Sequence, residues 1–380
     1  MTAVPTVAAT ATRPPARPRR AGDAVRVVVA VLIVLHGLVH LIGVLGTPEG
    51  TGAAPGWLWF LAAAAVVGSG VGLGLGRRHW WWLGLPALVL SQTLIVVSWP
   101  QAFAGTAGSV VLGAAVLHAW FAEGPRSRRA RYRRHAVEVD RGACAGPVVT
   151  EADLEPLPAP AARWLRRAGV VGRPRPLAFR AVMRGRIRST EDAPWMTFAA
   201  EQVNTVGDTW TRWFRMDATM RGLPVDVLHV YREGDASMHA RVASMVPVVS
   251  VEGREMGKAE TVTVLNDVCM MAPAALLDAP VTWAEVDDHH VVVRLACGGH
   301  EVAATLVLDD AGDLVDFRSE DRSRTDGRTV EQMPWSTPLT GHREMPIGRV
   351  AGAGAAVWDA PEGTYTYIET TIDSVEIAGA

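Results

Sequence analysis

Lysine is all but missing from this 380-residue chain: Lys258 stands alone, and every other basic side chain is arginine. Together with abundant Ala, Gly and Val, that resembles the composition expected from a GC-rich bacterial genome. Cysteine is scarce too. Cys144, Cys269 and Cys297 are odd in number and form no CxxC pair, which excludes a disulfide framework and a cysteine zinc site and leaves buried, reduced thiols. Known catalytic signatures are absent: there is no GxSxG elbow and no P-loop. Gly352-Ala353-Gly354 lacks the third glycine and the strand-to-helix setting of a dinucleotide loop. His289, His290, His300 and His342 show no metal-ligand spacing, so neither metal nor cofactor is expected. Acidic residues are nearly absent from the first third. Residues 1–135 hold 13 Arg against only Asp23, Glu49 and Glu123, leaving 24 basic and 36 acidic residues in 136–380. An acidic second part argues against nucleic acid as a partner, since phosphates demand a basic face.

What the first third has is hydrophobic length. Residues 1–24, rich in Ala, Thr, Pro and Arg, read as a disordered cytoplasmic tail. The next apolar run is too long for a signal-peptide core and others follow it, so cleavage is not expected. Four runs, Val25–Gly46, Trp57–Leu75, Trp80–Trp99 and Ala102–Ala122, approach the roughly 20 residues that cross a bilayer, predicting a four-helix transmembrane bundle over 25–122. Trp57, Trp59, Trp80, Trp81, Trp82, Trp99 and Trp120 mark the run ends as an interfacial belt would. Arginines alternate between connections. The tail, the turn Arg77–Arg78 and the junction Arg126–Arg134 carry them, whereas Thr47–Gly56 and Pro100–Gln101 carry none. The positive-inside rule then predicts a bacterial cell-membrane protein with both termini cytoplasmic, its junction arginines drawn to the anionic leaflet. His36 and His40 share a helix face at i, i+4, a spacing open to haem or metal. Gln92 lies at a similar depth, about 18 Å from the cytoplasmic side against about 16 Å for His36, so a His36–Gln92 hydrogen bond is the competing expectation.

Residues 123–160 read as the basic junction and a proline-rich linker, and 161–380 as a soluble β-rich domain opened by a short helix at Ala161–Ala168. Beyond Pro176 polar and apolar residues alternate in many short runs separated by Gly, Asp and Pro turns. The fold class is therefore α+β and multidomain: the transmembrane bundle followed by a large curled antiparallel sheet. One stretch, Lys258–Asp278, breaks the alternation and reads as a helix interrupted before Pro273, laid across the concave face to leave a cavity. Eleven of the twelve methionines fall in this half, suiting either a flexible apolar ligand or an ordinary core.

Leu265-Asn266-Asp267, Ala272-Pro273-Ala274-Ala275-Leu276-Leu277-Asp278, Trp283, Asp321-Arg322, Trp335-Ser336-Thr337-Pro338 and Trp358…Tyr365-Thr366-Tyr367 occur in that order, after Leu157-Pro158…Trp164-Leu165. Over roughly residues 150–378 the chain thereby resembles a family of uncharacterised bacterial proteins defined only as a domain of unknown function. The resemblance implies no nameable activity; a half-barrel like the lipoprotein-carrier fold is an expectation by analogy alone. The polar and aromatic residues of these motifs are the site candidates: Asn266, Asp267, Met270, Met271, Asp321, Arg322, Trp335, Tyr367 and Glu369 for a ligand. Glu260, Asp267 and Arg322 are the candidates for chemistry. Glu260 and Asp267 lie two turns apart on one helix face, while Asp321, Arg322 and Glu369 fall in expected strands. Paired carboxylates could work as acid and base, or one could pair with Arg322 to hold the helix on the sheet. A catalytic Cys269 would need a neighbouring base. Three readings stand open: a membrane-tethered module for a lipid-like or apolar molecule, a structural or regulatory membrane protein, and a membrane-tethered hydrolase.

Overall fold

The structure, a computed structural model, describes residues 21–45, 54–142, 145–325, 330–361 and 363–379. The expected tail up to residue 20, most of the loop 47–56 and Cys144 lie outside the described residues. The chain divides into two compact units, Met1–Leu112 and Gly113–Ala380.

In the first unit the apolar runs are helical: α1 (Ala21–Val39), α2 (Leu41–Leu45), α3 (Gly56–Gly74), α4 (Trp81–Val97) and α5 (Trp99–Ala102), with α6 (Thr106–Glu123) crossing the unit boundary. Three helical stretches, Ala24–Leu45, Gly56–Gly74 and Trp99–Gly142, are long and apolar enough to cross a membrane; Trp81–Val97 is a shorter apolar helix. Small residues permit close packing of α1 on α3: a Cβ at Gly70 would come within 3.0 Å of the Ala30 carbonyl oxygen. Four buried polar side chains of this unit, His36, His40, Ser91 and Ser109, come together. His36 Nε2 and His40 Nε2 lie 3.2 and 2.9 Å from Ser91 Oγ, which is 3.2 Å from Ser109 Oγ. The expected His36–Gln92 bond does not form, and Gln92 donates to Thr106 Oγ1 at 3.3 Å instead. Depth along the helix was the right criterion but not sufficient, because each residue turns the helix by about 100° and it is Ser91 that faces α1.

In the second unit the basic junction is helical. The Arg-rich stretch forms α7 (Arg128–Gly142), followed by β1 (Ala145–Val148), which pairs with β2 (Pro174–Pro176), and by α8 (Ala159–Arg167) between them. Three of the six junction arginines find carboxylates at home: Arg128 reaches Asp226 at 3.1 Å, Arg129 reaches Asp217 at 2.9 Å, and Arg133 reaches Glu123 at 2.9 Å.

The alternating segments form a large antiparallel sheet. Its strands in chain order are β3 (Ala178–Ile187), β4 (Met196–Thr205), β5 (Thr211–Met220), β6 (Leu223–Arg232), β7 (Asp235–Val242), β8 (Val246–Gly253), β9 (Val281–Asp287), β10 (His290–Cys297), β11 (His300–Leu308) and β12 (Leu314–Ser319). Small pieces follow: β13 (Ser323–Thr325) pairs with β14 (Val330–Gln332) apart from the sheet, β15 (Trp335–Ser336) and β16 (Leu339–Thr340) join it, and β17 (Arg343–Met345) pairs with β18 (Gly348–Val350). The sheet is completed by β19 (Ala353–Ala360) and β20 (Gly363–Ile377), in the spatial order β8-β7-β6-β5-β4-β3-β20-β19-β15-β12-β11-β10-β9. Asp321 and Arg322, expected in a strand, lie in the connection after β12.

Between β8 and β9 the chain forms α9 (Arg254–Met271), and Pro273, which cannot continue the hydrogen-bond ladder, opens a separate 3-10 turn at Pro273–Leu277. The period of two sorts β4–β6 into two faces. Ala200, Met216, Val227 and Tyr231 join the core around α9, whereas Val203 and Leu228 pack with Tyr132 and Ala136 of α7. Helix α9 touches β6, β7 and β8, and also β11 and β12 from far along the sheet. Beside its first turns the β6–β7 and β10–β11 turns meet, backbone against backbone, at Gly234 and Gly298. Gly257 of α9 faces that junction, and a Cβ there would overlap the Gly234 carbonyl oxygen. Gly257→Ala is therefore expected to destabilise the domain by about 1–3 kcal/mol, the usual cost of overpacking a filled site. A lowered urea midpoint of the detergent-solubilised protein, with unchanged secondary structure by circular dichroism, would register it.

Candidate functional site

Polar residues cross the contact between α9 and the sheet in a continuous strip. Asp267, on the sheet-facing side of α9, accepts from Arg212 Nε at 2.6 Å and Gln202 Nε2 at 3.0 Å, with Asn204 Nδ2 at 3.5 Å. Arg212 Nη1 also reaches His229 Nδ1 at 3.3 Å. A guanidinium only donates, so His229 Nδ1 must accept and its proton sits on Nε2. That nitrogen lies 3.3 Å from Glu260 Oε2. Glu260 Oε1 in turn lies 3.2 Å from Arg322 Nη1, which also donates to the Ala259 carbonyl at 2.7 Å and to Thr263 Oγ1. The Arg322 guanidinium stands 5.0 Å over the Trp335 ring, and Trp335 Nε1 donates to Tyr367 Oη at 3.2 Å. With His229 neutral, two carboxylates and two guanidiniums alternate and their charges cancel, which is what permits this burial.

Glu260 is drawn in two directions. Burial pushes its pKa up, but His229, Arg322 and Arg212 outweigh it and bring the carboxyl down to about 2. Burial depresses His229 to about 4, an effect that Glu260 opposes and the two arginines reinforce. Cys269 is buried and its thiol is pushed up by desolvation, which removes the thiolate that a nucleophile requires.

The structure brings together Glu260, Asp267, Arg322, Trp335 and Tyr367 of the expected set. Glu260 takes Arg322 as its partner, whereas Asp267 takes Arg212, which sequence reasoning passed over with His229, Gln202 and Asn204. A signal for these four did exist. They occupy the same alternating positions as Ala200 on β4, Phe214 and Met216 on β5, and Val227 and Tyr231 on β6, so a polar residue there points at the core. Asn266 donates to Met270 Sδ at 3.5 Å, and Met271 is fully buried. Asp321 stands apart, holding Lys258 Nζ at 2.8 Å and the Ala303 N–H at 2.9 Å. Glu369 stands further apart. It forms a two-bonded pair with Arg186 at 2.7 and 2.8 Å on exposed strand positions, because its register on β20 places it directly opposite that arginine.

The space beside Cys269, Met270 and Trp164 amounts to about 10 Å³, enough for a water molecule and not for a lipid. An open cleft of about 740 Å³ lies elsewhere, at the β4–β5 turn, lined by His135, Glu138, Trp213, Arg232 and Asp278. It contains none of the expected site residues.

A model described as a family of unknown function, DUF6544, matches residues 147–370. No curated protein matches the chain. Among solved structures, one assigned as an outer membrane lipoprotein-sorting protein domain from Vibrio parahaemolyticus is 11% identical, covering 52% of this chain and 84% of its own, with a TM-score of 0.31. A DUF1329 family protein from Desulfovibrio piger is 10% identical over 58% of this chain and 92% of its own, also at 0.31. A β-barrel-like DUF1849 protein from Brucella abortus is 11% identical over 53% and 98%, at 0.24. Similarity at this level bears on neither ligand nor activity.

The strip makes stability depend on pH. His229 titrates near 6.5 when unfolded and near 4 when folded, so the unfolded chain binds more protons between those values. Stability is fully present above about pH 6.5 and falls by up to about 3 kcal/mol as pH drops to 4, at 1.36 kcal/mol per unit. Glu260, depressed from 4.5 to about 2, adds a further loss below pH 4.5. Urea titrations of the detergent-solubilised protein at pH 7 and pH 5 should show this loss, and His229→Gln should reduce it.

Proposed function

We propose a function on one premise: the chain belongs to the DUF6544 family, a family of unknown function. In this reading it is a bacterial integral membrane protein whose β-domain holds a lipid-like or other apolar molecule at the cytoplasmic face of the membrane. Four apolar helices would span the bilayer with both termini inside. The 17-residue α4 supports the fourth crossing, since with its flanking Trp80 and Trp99 it extends roughly 30 Å at 1.5 Å per residue, about the hydrocarbon thickness. The arginine alternation supports the orientation.

A sheet curled around α9 is part of this reading. The strands β7 and β11 are nine places apart in the sheet, yet both touch α9. At about 4.8 Å per strand a flat sheet would hold them roughly 43 Å apart, while a helix is only about 10–12 Å across.

The observation that carries the proposal is how α9 is attached. Its Met270 and Met271 belong to the same apolar core as Met183, Met216, Met333 and many alanines, adaptable apolar surface that fits more than one occupant. Yet it is fastened along one side by charges. Buried ion pairs hold elements together less firmly than apolar groups of the same volume, commonly by about 1–4 kcal/mol. A helix fastened in this way can lift, admitting a ligand beside Asn266, Asp267, Met270, Met271, Trp335 and Tyr367. Asp321 and Glu369, engaged elsewhere, drop out of the proposed ligand site.

One observation favours a second reading, a structural or regulatory protein without a ligand: the roughly water-sized space beside Met270. The hydrolase reading ranks third, because both of its carboxylates already hold arginines. Native mass spectrometry of the protein from mild detergent, with lipid identification, separates the first two. A tightly co-purifying apolar molecule is expected. If the wild-type protein carries no apolar molecule, the binding reading fails and the structural one stands.

A further inference from the structure

Two hairpin tips of the β-domain lie beside the apolar helix α6. Ala243, in the β7–β8 turn, accepts a 2.8 Å hydrogen bond through its carbonyl from His118 Nδ1. His118 belongs to the hydrophobic stretch of α6, five residues before its end at Glu123. At 1.5 Å per residue the contact sits about 7 Å inside that end, at the level of the helix's last apolar turns. The Ala243 N–H donates to the Pro224 carbonyl at 2.7 Å, which fixes the β5–β6 tip alongside.

Both tips are built as tight turns in backbone conformations that side chains avoid. Arg221 and Gly222 have φ of 49° and 84°, and Ala243 and Ser244 have 51° and 61°. Exposed apolar residues follow each turn: Leu223 is 53% exposed after the first, and Met245 36%, Val246 58% and Val248 50% after the second. Arg221 lies at one tip and Arg241 lies two residues before Ala243. Exposed aliphatic side chains beside the turn apices, with Arg221 at one apex and Arg241 near the other, match a bilayer interface, where the apolar part enters the acyl region and the guanidiniums meet phosphates.

We propose that the β5–β6 and β7–β8 tips insert into the same leaflet in which α6 ends, so that the domain touches the membrane through Leu223, Met245, Val246 and Val248 as well as through its tether. A second copy of the chain is a poorer occupant, since the contact with His118 already commits this edge to the depth of an apolar helix. The inference rests on the reading of α6 as a membrane span.

The test uses the full chain, carrying Cys144→Ser, Cys269→Ala and Cys297→Ser, reconstituted in phosphatidylcholine–phosphatidylglycerol vesicles. Single cysteines for an environment-sensitive fluorophore are introduced by Val246→Cys, by Val110→Cys on the exposed side of α6, and by Val286→Cys on the exposed β9. The expected result is a blue-shifted emission and quenching by lipids brominated high on the acyl chain for Val110→Cys and Val246→Cys, with neither for Val286→Cys. Quenching at 110 without quenching at 246 overturns the insertion and leaves the span intact. No quenching at 110 overturns the span itself, and the insertion with it. A blue shift at 246 without bromine quenching means that protein covers the tip, and quenching at 286 means that the domain lies on the bilayer without a preferred edge; either result also overturns the proposal.

Discussion

The β-domain depends on how charge is neutralised beneath α9. From Glu260 to Met271 nearly every position of this helix is buried, which an ordinary surface helix with one apolar stripe could not tolerate. Glu260 and Asp267 can be there because Arg322 and Arg212 reach them and neutral His229 spaces the pairs. Removing one member would leave its partner charged and buried, commonly a loss of about 3–5 kcal/mol. The strip therefore acts more as a specification of where α9 lies than as a source of stability. The same arrangement weakens the case for acid–base catalysis, since each carboxylate is committed to a guanidinium.

The two faces of β4–β6 are used in contrasting ways. One carries the alternating polar residues that receive α9. The other receives α7, through Tyr132 and Ala136 in the gap lined by Val203 and Leu228 and through ion pairs to Asp217 and Asp226. Within the arginine-rich junction, Arg128, Arg129 and Arg133 thus bind carboxylates of this unit.

Much of this was legible in the order of residues. The apolar runs, the alternating strands, the helix before Pro273 and its placement of Glu260 and Asp267 on one face all follow from local rules of length, period and ring geometry. Half the site was legible as well, since Asp267, Arg322 and Trp335 lie in recognisable motifs and Glu260 shares a helix face with Asp267. Arg212, His229, Gln202 and Asn204 were not singled out, although each occupies a core-facing position of its strand, because polar residues within an alternating pattern also suit the solvent face. The side that a strand turns inward is decided by the strands and helices packed on it.

By itself the sequence determined a hydrophobic first third, a basic junction and a β-rich acidic remainder, since these depend on composition and near-neighbour periodicity. Tertiary structure alone decided which charges meet. Asp267 and Arg212 are 55 residues apart, Glu260 and Arg322 62, and Glu369 and Arg186 183, and each pairing is set by strand order and register. The space beside Met270 was likewise decided there: side chains from α8, α9 and the last third of the chain converge on it and leave about 10 Å³. Neither the partner of a buried charge nor the volume of an interior is a local property, so neither is written in any one stretch of the chain.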